Sequence, residues 1–236
     1  MGNHYIYSYR LTYFGGTAPC YDGDFLSLAI CKRDMRRMIG RNYNFDRKSN
    51  KDNTYWFIGI VGSTLAKDKD SDFKGCAGNI LYVAKVTDVK DFSEYFSNPA
   101  YKNRQDQIYE ESPDGQYHTD GCDKYFKHNG VKVHDDNIML QERDWDVQHG
   151  SRENYVLISD RYSFIDDDSS IQIVNALNDD EKLAKGVGHS WFETDETSDL
   201  VKCLNKIIEN QNDHGKRHLP KSIRTGSSGG CGKDKA

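Results

Sequence analysis

The chain lacks any apolar run near the ~20 residues that a membrane-spanning helix needs. Its start, Met1-Gly2-Asn3-His4-Tyr5, has no charged region followed by an apolar stretch. Neither a transmembrane nor a secreted protein is expected. The six cysteines (Cys20, Cys31, Cys76, Cys122, Cys203, Cys231) form no C-x-x-C pair, so they read as reduced thiols of a cytoplasmic protein. No repeat of fixed period is visible. Positive charge is not in excess either: 32 Lys and Arg stand against 37 Asp and Glu, a net charge of −5. That balance argues against a surface coated everywhere for nucleic acid, while a local basic patch stays open. What is abundant is aromatic: 15 Tyr, 10 Phe and 3 Trp suit strands and base-stacking surfaces alike. At 236 residues the chain is long enough to bury roughly 70% of its unfolded surface in one domain, a real core despite the polar composition.

Periodicity places the elements. Tyr5 to Leu11 alternates weakly and reads as a first strand ended by Gly15-Gly16. Leu26 to Cys31 is a short apolar run, a second buried strand or the approach to a helix. Met35, Met38 and Ile39 fall at helical spacing in Lys32 to Ile39, one or two turns with the arginines facing outward, and Tyr43 to Asn53 reads as a loop. Tyr55-Trp56-Phe57-Ile58-Gly59-Ile60-Val61-Gly62 is apolar on both faces, hence a central strand. Ile80 to Val86 is a second strong strand, paired antiparallel to it. Asp91 or Ser93 caps a short helix that Pro99 closes. Tyr101 to Gly150 is polar and aperiodic, a length expected to fold against the site or to lid it. Tyr155 to Asp160 is a third clear strand, followed by Arg161 to Ile165. Asp199 to Ile208 places apolar residues on one face of an amphipathic helix with an acidic start. From about Asp213 the apolar residues nearly vanish, so 213–236 reads as a disordered basic tail.

Seven basic residues (Lys32, Arg33, Arg36, Arg37, Arg41, Arg47, Lys48) against Asp34 and Asp46 invert the overall charge within one short stretch. Arginine's planar fork suits phosphate oxygens, so this element could track a nucleic-acid backbone or hold a nucleotide's phosphates; the alternative is a solvated helix face. Trp56 opens the central strand and Gly62-Ser63 closes it, a pattern in which a ring stacks on a base and a glycine admits a ligand to the backbone, unless Trp56 is simply core. His118, Cys122, His128 and His134 are close in sequence but poorly spaced for zinc, and no metal is expected. No G-x-S-x-G names a nucleophile. Cys31 has Lys32 and Arg33 beside it, the electrostatics of a thiolate, although a cysteine ending an apolar run is more often buried. Gly186-Val187-Gly188-His189 lacks the context of a dinucleotide fingerprint, but His189 could serve as acid, base or donor, with Asp160 the carboxylate best placed to join it. Asp166-Asp167-Asp168 reads as a solvated turn or a magnesium seat.

Several blocks in order carry a family likeness: Ala29-Ile30-Cys31-Lys32 with Arg36-Arg37, Trp56 to Ser63, Ile80 to Val86 with Phe92, Tyr95 and Phe96, Val156 to Asp160 with Phe164, and Lys185 to His189. Together they resemble the nucleotide modification associated domain family, second type, of phages and bacteria. That family usually carries Pro after the Cys-Lys pair and a Gly-Asp turn before the tryptophan, where this chain has Arg33 and the insert-like Asn42 to Thr54. A vaguer likeness is to small-barrel, pseudouridine-synthase-associated (PUA-like) domains that read bases. The expected fold is therefore α+β: a mostly antiparallel, curved or barrel-like sheet with short flanking helices and a C-terminal amphipathic helix over 1–212, then the tail. The expected function is binding of a nucleotide or modified base within nucleic acid, in a DNA-modification context. Lys32, Arg36 and Arg37 would hold phosphates, Trp56 would stack, Gly62 and Ser63 would contact the ligand, and Asp160 and His189 would read base or sugar edges. The alternative is an enzyme of nucleotide or DNA-base modification with His189 and Asp160 as acid and base, and Cys31 as a further candidate. No cofactor and no membrane is implied.

Overall fold

The computed structural model describes residues 2–12, 14, 19–21, 24–29, 32–69, 73–102, 104, 106, 154–186 and 188–210, with backbone alone for four short strands between 109 and 132. In chain order the elements are β1 (His4–Leu11), β2 (Leu26–Leu28), α1 (Arg33–Lys48), β3 (Thr54–Val61), α2 (Ser63–Lys67), β4 (Ile80–Lys85), β5 (Asp88–Asp91) and α3 (Phe92–Phe96). A 3-10 turn follows at Pro99–Tyr101, then the short β6 (Tyr109–Glu111), β7 (Tyr117–Thr119), β8 (Lys127–His128) and β9 (Val131–Lys132). The chain continues with β10 (Tyr155–Ser159), β11 (Arg161–Phe164), α4 (Asp167–Asn175), β12 (His189–Thr194) and α5 (Asp199–Glu209).

The main sheet has the order β11-β4-β3-β1-β12, so the doubly apolar β3 is central as its sequence demands. β1 and β3 run parallel, from His4 beside Thr54 to Leu11 beside Val61; the other ladders are antiparallel. Strand alternation sends Tyr7, Tyr9, Leu11, Tyr55, Phe57 and Val61 to one face, and Ile6, Trp56, Ile58 and Ile60 to the other. The first face packs on Met35 and Ile39 of α1 and on a second sheet of order β2-β10-β5, through Leu26, Leu28, Leu157 and Val89. The second face is covered by Ile173 of α4 and by Leu200, Leu204, Ile207 and Ile208 of α5. At 11 residues, α5 is shorter than the ~12–15 at which isolated helices become marginal; its buried side chains, each worth roughly 1.5–3 kcal/mol, hold it in place. The architecture is thus α+β with a five-stranded sheet, a three-stranded sheet and two two-stranded ribbons, β6-β7 and β8-β9. Among the described residues the strands do not close into a barrel.

Three local readings change. α1 runs through the stretch expected to be a loop. Asp34 in its first turn and Arg47 and Lys48 in its last match the helix dipole, and the buried Asp46 accepts from the Tyr55 hydroxyl and from Asn53 Nδ2 (2.8 Å), tying the helix end to β3. The acidic trio is solvated as expected but opens a helix: Asp166 caps α4 by accepting from Ser169 N (2.8 Å), and Asp167 and Asp168 occupy the first turn. β12 is an edge strand that no sequence pattern announced. The choice between Asp91 and Ser93 falls to Asp91, whose carboxylate accepts from Glu94 N while Glu94 reaches back to Asp91 N. The tail at 213–236 lies outside the described residues.

α1 crosses β10 at Gly40, where a Cβ would come within 2.3 Å of the Tyr155 ring. In an open helix Gly→Ala gains about 1 kcal/mol, whereas overpacking of this kind costs about 1–3 kcal/mol. Gly40→Ala should therefore lower the urea midpoint of unfolding; a higher midpoint would show that the ring yields without cost.

Candidate functional site

The basic element does not act as one surface. Arg36 is 0% exposed; its Nη1 donates to the Tyr155 carbonyl and its guanidinium lies 5.4 Å from the Phe92 ring centre. A guanidinium desolvated to that extent must have its bonds supplied by the protein, so Arg36 joins α1 to β10 and α3 and is not a phosphate ligand. Arg37, on the next position of the helix, is half-buried. Trp56 is likewise 0% exposed, with its indole N–H donating to His4 Nδ1 (3.1 Å) and the Lys85 ammonium 5.9 Å from its ring. It packs among Ile6, Ile58 and α5 on the face of the sheet opposite α1. Adjacent strand residues point to opposite sides, so α1 covers Tyr55 and cannot meet Trp56. The stacking role therefore does not belong to Trp56; Trp191, half exposed on β12 and stacked on Tyr7 at 6.0 Å, is the described tryptophan with an open ring. Gly62 serves the fold as well: its N–H donates to Leu11 O (2.9 Å), and a Cβ there would stand 2.4 Å from that oxygen. Ser63 is exposed at the start of the five-residue α2.

Lys32 and His189 do come together. Lys32 takes a left-handed backbone at the entrance to α1 (φ 51°). Its ammonium donates to Gly188 O (3.2 Å) and stands 5.5 Å from the Tyr9 ring centre. His189 pairs with Tyr9 across β1 and β12, just after Gly188, whose φ of +111° suits glycine. Burial lowers the His189 pKa from its usual range, Lys32 adds to that effect and Asp34 opposes it. Its carboxylate neighbour is thus Asp34 and not Asp160. Asp160 directly precedes β11 at one edge of the main sheet while His189 opens β12 at the other, four strand spacings of about 4.8 Å apart. The proposed acid-base pair is not assembled. Cys31 lies outside the described residues, as do the side chains of His118, Cys122, His128 and His134.

Asp160 instead lines a cleft of about 540 Å³ on the outer side of the β2-β10-β5 sheet, with Phe25, Arg47, Thr87, Asp88, Lys90, Tyr101 and Ile158. Its two rings meet edge to face at 5.6 Å. Each ring is backed from beneath: the Arg104 guanidinium lies 3.9 Å from the Phe25 centre, and Tyr101 stacks on Tyr95 at 4.6 Å. Those supports belong to one buried network, in which Arg104 Nε donates to the Tyr95 hydroxyl (3.0 Å), Tyr95 donates to Asp106 (2.8 Å) and Arg104 Nη2 donates to Ser27 Oγ (2.8 Å). Burial and the Asp106 carboxylate push the Tyr95 hydroxyl well above its ordinary pKa, so it remains a donor. On the far wall Asp88 bridges Lys90 (2.9 Å) and Arg47 (3.8 Å). Phe25, Tyr101, Asp88 and Lys90 were not singled out by the sequence; Arg47, within the basic run, and Asp160, at a strand end, carried a signal.

The family model described as nucleotide modification associated domain 2 matches residues 3–223 of the chain. The chain belongs to that family. No curated protein and no solved structure matches it. For this nucleotide modification associated domain the association with nucleotide modification is thereby established at the level of the family, and no described helix is long and apolar enough to cross a membrane.

In this domain the Trp56-His4 bond has a direct consequence for pH. His4 Nδ1 is the acceptor, which requires the neutral imidazole. Burial, aided by Lys85, lowers the His4 pKa below 6.5, and burial does the same for His189. The unfolded chain then binds protons more readily, so the stability these histidines confer is complete above about pH 6.5 and declines as pH falls toward and through their folded pKa values. The thermal midpoint should drop between about pH 7.5 and 5.5, and His4→Gln, which keeps an acceptor for Trp56, should shrink that drop. An unchanged drop would remove His4 from the account.

Proposed function

We propose that the chain binds a nucleotide, or a base within nucleic acid, in the cleft between Phe25, Tyr101 and Arg47. The observation that carries this reading is the co-location, in a space of about 540 Å³, of two aromatic rings and two cationic side chains. Pockets of that size take small-molecule ligands. A base packs against the rings, worth about 1–3 kcal/mol by truncation of a stacking side chain. Phosphate oxygens displace part of the Asp88 pairing on Arg47, whose side chain is 67% exposed. Lys32 and Arg37 belong to the same helix system, α1, whose last turn delivers Arg47; in this reading they extend the positive surface along a bound strand. The family's association with nucleotide modification supports the reading. The rival enzyme reading with His189 and Asp160 loses its geometry, since the two stand at opposite sheet edges.

Binding of nucleoside monophosphates and of short DNA and RNA strands is to be followed by thermal shift and calorimetry. Tyr101→Ala should weaken binding by about 1–3 kcal/mol. Arg47→Ala should reduce the slope of log affinity against log salt by about 0.7–0.9, the share of one phosphate contact. Absence of any nucleotide-induced stabilisation, or affinities indifferent to both substitutions, would overturn the proposal.

A further inference from the structure

Resting on the nucleotide reading of the cleft, we infer that Asp160 is its specificity residue and selects a base that presents two adjacent N–H donors, as the guanine edge does. Asp88 and Thr87 in the lining are committed. Asp88 holds Lys90 and Arg47. Thr87 Oγ1 accepts from Asp160 N (3.1 Å) and donates toward Ile158 O (3.4 Å). The Asp160 carboxylate has neither a hydrogen-bond nor an ion-pair partner among the described residues. Its position is nevertheless fixed. Asp160 is the single residue between β10 and β11, its N–H is held by Thr87, and Ser159 Oγ donates to Arg161 O (2.8 Å) and accepts from Arg161 N (3.2 Å) across it. A short side chain on a fixed backbone is a well-placed acceptor.

Strand register places it at the aromatic end. Ser159 lies opposite Leu26, so Asp160 comes level with Phe25, whereas Lys90 lies opposite Val156. The Asp88 carboxylate that holds this ammonium lies opposite Ile158, two residues from Asp160 along β10, about 7 Å. A nucleotide with its phosphate on Lys90 and Arg47 and its ring beside Phe25 and Tyr101 brings an edge of the base to Asp160. The negative charge also turns the phosphate toward the other end. An ionised carboxylate only accepts, through two coplanar oxygens that match two parallel N–H bonds. Guanine offers N1–H beside its N2 amine. Adenine and cytosine set an acceptor nitrogen beside their amine, and uracil and thymine flank one N–H with two carbonyls, so each of these faces the carboxylate with at least one repelled lone pair.

The test is calorimetry on the full chain with five nucleotides: the 5′-monophosphates of guanosine, deoxyguanosine, inosine, adenosine and cytidine. Guanosine and deoxyguanosine monophosphates should bind alike; the inosine compound, lacking the N2 amine, about tenfold or more weaker; and the other two weaker still. Asp160→Asn, at an exposed position, should keep the fold and erase the preference of guanosine over inosine. A preference that follows the 2′-hydroxyl would assign Asp160 to the ribose and overturn the inference, as would a guanine preference that survives Asp160→Asn. Binding of all five with equal affinity, still weakened by Tyr101→Ala and Arg47→Ala, would overturn this inference alone. No binding by the wild-type chain would overturn the cleft reading with it.

Discussion

The parallel pairing of β1 with β3 is the constraint on which the remainder of this molecule hangs. Eight residue pairs in register, His4 with Thr54 through Leu11 with Val61, place two strands of alternating apolar residues in the middle of a sheet covered on both sides. Each side chain is assigned to one of two cores by its parity in the strand. Joining parallel neighbours requires a crossover, and the crossover here contains β2 and α1, the elements that close the first face. The helices that close the second face come from the far end of the described chain. A sheet so enclosed has no open face for a ligand, which leaves recognition to its margins.

Charge in this protein is used inside as much as outside. Arg36 and Arg104 are both nearly inaccessible, and each is satisfied by carbonyls, hydroxyls and rings. Such groups stabilise only when every donor finds a partner, and removal of a partner from a buried pair costs several kcal/mol. They therefore act as rigid ties: Arg36 between α1, β10 and α3, and Arg104 between β2 and the segment that follows α3. The second tie matters for function, because the rings of Phe25 and Tyr101 rest on Arg104 and on its partner Tyr95. The cleft walls are thus set before a ligand arrives, which lowers the ordering cost of binding.

Much of the fold was legible. The β3, β4 and β10 strands, the antiparallel pairing of β3 with β4, the presence of a capped α3 and the α5 helix all follow from apolar spacing and capping chemistry confined to a few residues. The full length of α1 was not, because its second half is polar and is held by a distant contact, Asp46 with Tyr55. The functional residues divided in the same way. Asp160 was visible as a carboxylate ending a strand, Lys32 as part of the basic run, and His189 as a histidine following a glycine. Phe25 and Tyr101 carried no signal, since each is an ordinary aromatic until the other stands beside it.

The amino-acid order by itself determined the class of each element and the side to which its residues point, since backbone geometry and apolar periodicity act within a few positions. Which layer each side met was decided only by the tertiary structure: Arg36 turned inward and Trp56 faced α5, while His189 and Asp160 took opposite edges. Local spacing orients a side chain; what it touches depends on segments far along the chain, and their placement follows from burying both faces of one sheet at once.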